Sequence, residues 1–321
     1  MARAVVIGGS GHIGTYLVPR LVEAGYEVVN VARGQREPYR PHGAWDRVRT
    51  EILDRDALEQ AGRFGTAIAE LAPDVVLDLI CFMPDSARQL VEALRGRIQH
   101  LVHVGTIWVH GTSAVVPTTE TQPRRPFGDY GVNKAAIEAY LLDEARRRGF
   151  PATIVHPGHI VGPGWNPLNP AGHFDPEVFT TLAHGRELAL PNFGLETVHH
   201  VHADDVAQIM MRALERRSTA IGEAFHAVSP AALTLRGYAE AVGDWFGRPA
   251  QLSFLPWPEW RKAQAPENRQ ATWEHIARSP SCSIDKARAL LGYAPRYSSL
   301  EAVFEAVEWL VGQGTVRVPG R

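Results

Sequence analysis

Seven residues near the start of the chain constrain its fold more than any others. Gly8-Gly9-Ser10-Gly11-His12-Ile13-Gly14 stand between an apolar β-type run, Arg3–Ile7, and a stretch where Ile13, Leu17, Val18, Leu21 and Val22 recur at helical spacing. Gly25 sits where a glycine past the helix end belongs, and Pro19 inside the helix predicts a kink. Glycines at 8, 11 and 14 in a strand–turn–helix setting allow a tight turn, close backbone approach to a pyrophosphate, and close packing of helix on strand. The helix N-terminus adds free N–H groups and partial positive charge. Gly8, Ser10, Gly11, His12, Ile13 and Gly14 are therefore candidate dinucleotide-binding residues.

The strand–helix alternation continues along the chain. Strands are predicted at Glu27–Ala32, Arg47–Ile52, Asp74–Ile80, His100–Val104 and Ala152–His156, and helices at Asp56–Leu71, Asp85–Leu94 and Asp129–Arg148. Strands apolar on both faces imply a parallel sheet covered on both sides, hence a doubly wound, Rossmann-type α/β fold with its ligand crevice at the carboxyl ends of the strands. Prolines and glycines then crowd Pro157–Gly172, which reads as a substrate-site loop. Later helices are predicted at Ala203–Arg217, Leu235–Phe246, Ile284–Leu291 and Leu300–Val311, within a smaller C-terminal mixed α/β substrate domain. The 321 residues suit two domains. The expected division is 1–165, with 198–228 returning to it, for the dinucleotide, and 166–197 with 229–321 for the substrate.

Composition removes several classes. With 45% hydrophobic and 21% charged residues the chain is not globally disordered, and a net charge of −2 gives no electrostatic case for nucleic acid or a membrane surface. Two cysteines, Cys81 and Cys282, make neither a disulfide framework nor a zinc site. The apolar runs are too short to span a bilayer, and Ala4–Ile7 leads straight into glycines rather than into a signal-peptide pattern. A soluble cytoplasmic protein is expected.

The end of the second strand bears on the cofactor. A carboxylate there would hold the ribose hydroxyls of NAD, but the chain reads Asn30-Val31-Ala32-Arg33-Gly34-Gln35-Arg36, with no acid before Glu37. Arg33, assisted by Arg36, is placed to pair with a 2′-phosphate, so NADP is preferred. If both are ordinary surface arginines, NAD remains.

Tyr130 and Lys134 lie four residues apart, on one face of the predicted Asp129–Arg148 helix. A neighbouring cation favours a phenolate, which makes tyrosine a usable acid/base, and an ammonium also hydrogen-bonds a ribose hydroxyl. Only three of the 33 Lys+Arg residues are lysine, and Lys134 is one of them.

Together with the glycine turn and the strand end His103–Gly111, this pair resembles the extended short-chain dehydrogenase/reductase family, specifically its NAD-dependent epimerase/dehydratase branch. The similarity extends to Pro157–Pro163, His202–Ala207 and the Asp285–Pro295 tail, and so over essentially the whole chain. The resemblance implies that Thr106 hydrogen-bonds the substrate oxygen, that Tyr130 is the acid/base, and that Lys134 orients the ribose and lowers the tyrosine pKa. It implies that Asp54 faces the adenine, that Leu79, Ile80 and Cys81 line the dinucleotide, and that Pro157, His159 and Ile160 belong to the same site. A homodimer through Asp85–Leu94 and Asp129–Arg148 is implied as well.

The chain departs from that pattern on the substrate side. Ile107-Trp108 stand where dehydratases carry an Asp-Glu pair, which weakens a sugar-dehydratase reading. Glu196–His202 lacks the arginine usual in diphosphate-sugar epimerases, and His159 replaces a common asparagine. Trp108, His159 and His200 are candidate substrate residues, with Trp108 either a platform for the substrate or simply core. His199, His200 and His202 read as structural or substrate-lining rather than as a metal site, since His199 points away from the other two on a strand. Trp257, Trp260 and Trp273 read as aromatic packing before ligand contacts. The leading expectation is an NAD(P)-dependent oxidoreductase acting on a small alcohol, carbonyl or sugar-like substrate. The alternatives are a nucleotide-sugar epimerase with recycled NAD and a non-catalytic dinucleotide sensor.

Overall fold

A computed structural model describes residues 1–320. Its centre is a seven-stranded sheet built from β1 (Arg3–Ile7), β2 (Glu27–Ala32), β3 (Arg49–Ile52), β4 (Val75–Asp78), β5 (His100–Val104), β6 (Ala152–Pro157) and the strand Ala224–Ala227. The spatial order is Ala224–Ala227, β6, β5, β4, β1, β2, β3, and every pairing is parallel. The order reverses at β1 and β4, and the ligand crevice of a doubly wound sheet opens at such a reversal.

The apolar runs follow from burial on both faces. In β1, Ala4 and Val6 pack into one core with Leu17, Leu21, Val206 and Met210, while Val5 and Ile7 face a second core with Phe64, Leu90, Ile137 and Leu141. The flanking helices are α1 (His12–Glu23), α2 (Arg55–Gln60), α3 (Phe64–Glu70), α4 (Pro84–Leu94) and α5 (Asp129–Arg148). Asp129 in the first turn of α5 and Arg146–Arg148 in its last match the helix dipole, and Gly149 ends it in the left-handed region.

A third core lies in the C-terminal part, around Phe179, Tyr238, Trp260 and Val307. Three two-stranded ladders serve this part, one of them pairing His159–Val161 with His200–His202.

Several boundaries differ from expectation. The helix expected over Asp56–Leu71 is two, α2 and α3, separated at Gly62 with φ +64°. A 3-10 turn, Gly43–Arg47, takes the start of the strand expected from Arg47. α1 runs as one helix through Pro19. The helix Pro266–Ile276 was not expected, because its sequence carries no apolar stripe and only Thr272, His275 and Ile276 are buried.

Candidate active site

The glycine turn connects β1 to α1 at the carboxyl edge of the sheet. Gly8 has φ +86°, a left-handed conformation that favours glycine. A Cβ on Gly14 would overlap the Gly9 carbonyl, so α1 can seat on β1 only with glycine there. The turn thus fits a dinucleotide: the backbone is bare where a pyrophosphate would approach, and α1 presents its N-terminus to it.

Two cavities of about 300 and 530 Å³ share Gly8, Gly11, Arg36, Ile80 and Phe82, and so are two ends of one cleft. Ser10, Arg33 and Arg36 line the smaller end, and His12, Ile13, Leu79, Thr106, Tyr130 and Lys134 the larger. Pro157, His159, Ile160 and Trp108 also line the larger end.

Three expected residues sit elsewhere. The Asp54 carboxylate caps α2, accepting from the Ala57 amide at 3.0 Å, and the smaller cavity is lined by its neighbours Leu53, Arg55 and Asp56 instead. Cys81 is buried, with its thiol pushed up to about 12, and reaches the site only through its carbonyl. His200 lies behind His159, ring centroids 6.0 Å apart, with its Nε2 3.1 Å from the Leu168 carbonyl oxygen.

Lys134 is buried and donates to the carbonyls of Cys81 and Val104, both at 2.7 Å. An ammonium has three N–H groups, so one remains for a ligand. Burial lowers the Lys134 pKa to about 8. Its Nζ is 5.9 Å from the centre of the Tyr130 ring. Desolvation raises the Tyr130 phenol above its usual value, against the opposing effect of its hydrogen bond with Thr106. The expected lowering by Lys134 is not what the geometry gives, because the ammonium is turned to the two carbonyls. Desolvation thus favours the protonated phenol, the form that donates.

Thr106 is fixed from behind. Its backbone amide donates to Nδ1 of His156 at 2.9 Å, so the imidazole carries its hydrogen on Nε2, which lies 3.2 Å from Glu138 Oε1. Arg124 grips the same carboxylate, with Nη2 at 2.6 Å from Oε1 and Nε at 3.1 Å from Oε2. Burial alone would raise the Glu138 carboxyl, but His156 and Arg124 hold it well below the usual carboxylate range. None of these three residues stood out in the sequence, since a lone histidine on a strand and a glutamate inside a helix carry no motif. Phe82, which lines both ends of the cleft under Lys134, was missed too.

The three neighbouring histidines do not converge. His199 bonds the Ser229 carbonyl and the Cys282 amide, His200 the Leu168 carbonyl, and His202 the Asp204 amide, with Glu305 2.7 Å away. Among the described residues one buried group, Asp78, Cys81 and His103, has potential metal-ligand atoms within 4.8 Å of one another. There Arg55 already binds both Asp78 oxygens, at 2.8 and 3.1 Å, and burial holds the thiol protonated and the imidazole neutral. That chemistry does not suit a cation. Trp260 is buried with its Nε1 donating to the Ala189 carbonyl, whereas Trp273 is 47% exposed beside Trp257.

A family model described as the NAD dependent epimerase/dehydratase family matches residues 4–227. A UDP-glucose 4-epimerase of Streptomyces lividans is 27% identical over 335 residues, covering 95% of each chain. A 2'-dehydrokanamycin reductase of Streptomyces kanamyceticus is 27% identical over 318 residues, covering 98% of this chain and 86% of the relative. Among solved structures, a UDP-glucose 4-epimerase from Thermotoga maritima, bound to UDP-glucose, aligns with a TM-score of 0.73 at 21% identity, over 97% of this chain and 99% of that one.

Proposed function

The chain belongs to the NAD dependent epimerase/dehydratase family, and from that membership we propose that it is an oxidoreductase moving a hydride between a nicotinamide dinucleotide, NADP in preference to NAD, and the carbon of a secondary alcohol or ketone. The observation that carries the proposal is the meeting of Thr106, Tyr130 and Lys134 in one cleft with the glycine turn. When bound, the dinucleotide supplies or accepts the hydride. Thr106 Oγ1 holds the substrate oxygen and Tyr130 delivers a proton to it as the carbonyl is reduced. The phenol then regains a proton from solvent. Lys134 offers its third N–H to the ribose. A raised Tyr130 pKa suits this direction, because a carbonyl reductase needs an acid.

Arg33 and Arg36 at the adenosine end support NADP, since two guanidinium groups without a salt-bridge partner among the described residues favour a 2′-phosphate. Phe174, Glu274 and His275 line the cleft from segments 166–197 and 229–321, which supports reading those segments as the substrate-binding part. Helices α4 and α5 are the proposed face of a homodimer. No described helix is long and apolar enough to cross a membrane, and a cytoplasmic location is part of the proposal.

A second reading, an epimerase that recycles its cofactor in place, is favoured by the likeness to UDP-glucose 4-epimerase over 95% of the chain. Denaturing protein purified without added cofactor, and weighing any released dinucleotide by mass spectrometry, separates the two. Protein that is empty and then binds NADPH more tightly than NADH is the expected result. Stoichiometric NAD would overturn the reductase reading and the NADP preference together.

A further inference from the structure

Resting on that reading, we infer that the substrate is an uncharged ring with a flat apolar face, carrying its ketone or secondary alcohol on the ring, rather than a group linked to a nucleoside diphosphate.

The first observation is how Trp108 is held. The Arg278 guanidinium lies 3.7 Å from the centre of the Trp108 ring and 3.9 Å from that of Phe127, a sandwich that fixes the indole. Arg278 is 1% exposed, and its Nη1 and Nη2 donate to the carbonyls of Glu274 and Phe127 at 2.7 and 2.6 Å. No described carboxylate pairs with it, so its charge is balanced by the two ring faces and these carbonyls. The cation is spent on positioning Trp108 and does not line the cleft. Trp108 does, with Thr106 and Tyr130 on the same cavity and its ring 5.8 Å from that of Tyr130, which is the arrangement a ring substrate presenting its oxygen to that pair would use.

The second observation is the charge of the wall. Beyond Thr106 and Tyr130 it includes Trp108, Trp165, Phe174 and the imidazoles of His159 and His275. Burial holds both imidazoles neutral, His275 at about 4. Of the charged side chains in the larger cavity, Arg36 lines both ends of the cleft and is assigned to the 2′-phosphate, and Lys134, held by two carbonyls, has its remaining N–H assigned to the ribose. The remaining one is Glu274, a carboxylate. With the dinucleotide taking Arg36 and Lys134, a substrate diphosphate entering here would lose its hydration without gaining a further cation and would meet a like charge. Arg261 and Arg269 open onto a separate groove with Trp257 and Trp273.

Apolar ring faces of this kind come from carbocyclic compounds and from pyranosides, and two probes tell them apart. Calorimetric titration of the NADP⁺-loaded protein with 2-tetralol, methyl β-D-glucopyranoside and UDP-glucose ranks the three. The expected result is that one neutral probe binds at least ten-fold more tightly than UDP-glucose. Trp108→Ala then weakens that probe at least ten-fold, Trp108→Phe holds it within about three-fold, and both keep the NADP⁺ affinity of the parent. UDP-glucose binding as tightly as either neutral probe, binding of none of the three, or neutral binding indifferent to Trp108→Ala would each overturn the inference. Failure to take up either dinucleotide strikes instead at the functional reading, and the same ranking on unloaded protein still decides the pocket.

Discussion

The backbone amide of Thr106 and Nδ1 of His156 are hydrogen-bonded at 2.9 Å across adjacent strand ends, joining the cleft to the buried Glu138 and its half-buried partner Arg124. Gly105 permits this approach, because a Cβ there would overlap the His156 ring. His156 touches no reacting atom on this account. It positions Thr106, the residue proposed to hold the substrate oxygen.

His156→Phe removes the acceptor and leaves a buried amide unpaired, at a cost of about 1–3 kcal/mol. We expect kcat to fall roughly ten-fold or more, with the Kd for NADPH unchanged, and His156→Gln to recover part of the loss. Steady-state kinetics alongside dinucleotide titration checks this. A purely structural role predicts that both variants lose stability and activity in parallel, with no rescue.

Replacing Arg33 and Arg36 together by alanine removes both guanidinium groups from the adenosine end. Affinity for NADPH should drop roughly 10- to 100-fold, given about 1.5–3 kcal/mol for a charge-assisted hydrogen bond. Affinity for NADH should barely move. Parallel fluorescence titrations of the two dinucleotides measure the ratio, and equal losses for both would remove Arg33 as the phosphate reader.

Stability should depend on pH through the buried histidines. Burial holds His199 and His275 at about 4 and His200 at about 3 in the folded protein, against roughly 6.5 when exposed on unfolding. Between those values the unfolded chain binds more protons, so their contribution is complete above pH ~6.5 and is lost as pH falls towards the folded values. Each such histidine loses about 1.4 kcal/mol per pH unit in that window. The melting temperature should be level near pH 7–8 and fall steeply towards pH ~4.5. A level profile down to pH ~5 would contradict the burial of these rings.

The Rossmann sheet was legible because β1, β2, β4, β5 and β6 are apolar on both faces and each is followed by a helical pattern or a glycine turn. Helix Pro266–Ile276 was not, although it brings Glu274 and His275 to the cleft. With Glu267, Asn268, Arg269 and Gln270 in its first turns it has no apolar periodicity, and it is held by the packing of Thr272, His275 and Ile276. Thr106, Tyr130 and Lys134 could be named from spacing and resemblance. His156, Glu138, Arg124 and Arg278 act through partners 14 to 170 residues away, and such pairings leave no local pattern. Asp54 shows the opposite error: a residue at the expected position spends its carboxylate on capping a helix.

Tyr130 is proposed to move the substrate proton in a cleft that holds the dinucleotide without its help. Tyr130→Phe keeps the ring against Trp108 and Phe82 and removes the hydroxyl alone. Measured on the substrate the parent turns over, its kcat should fall at least a hundred-fold, while the Kd for NADPH stays within about two-fold. Turnover by Tyr130→Phe at the parent's rate would contradict the account.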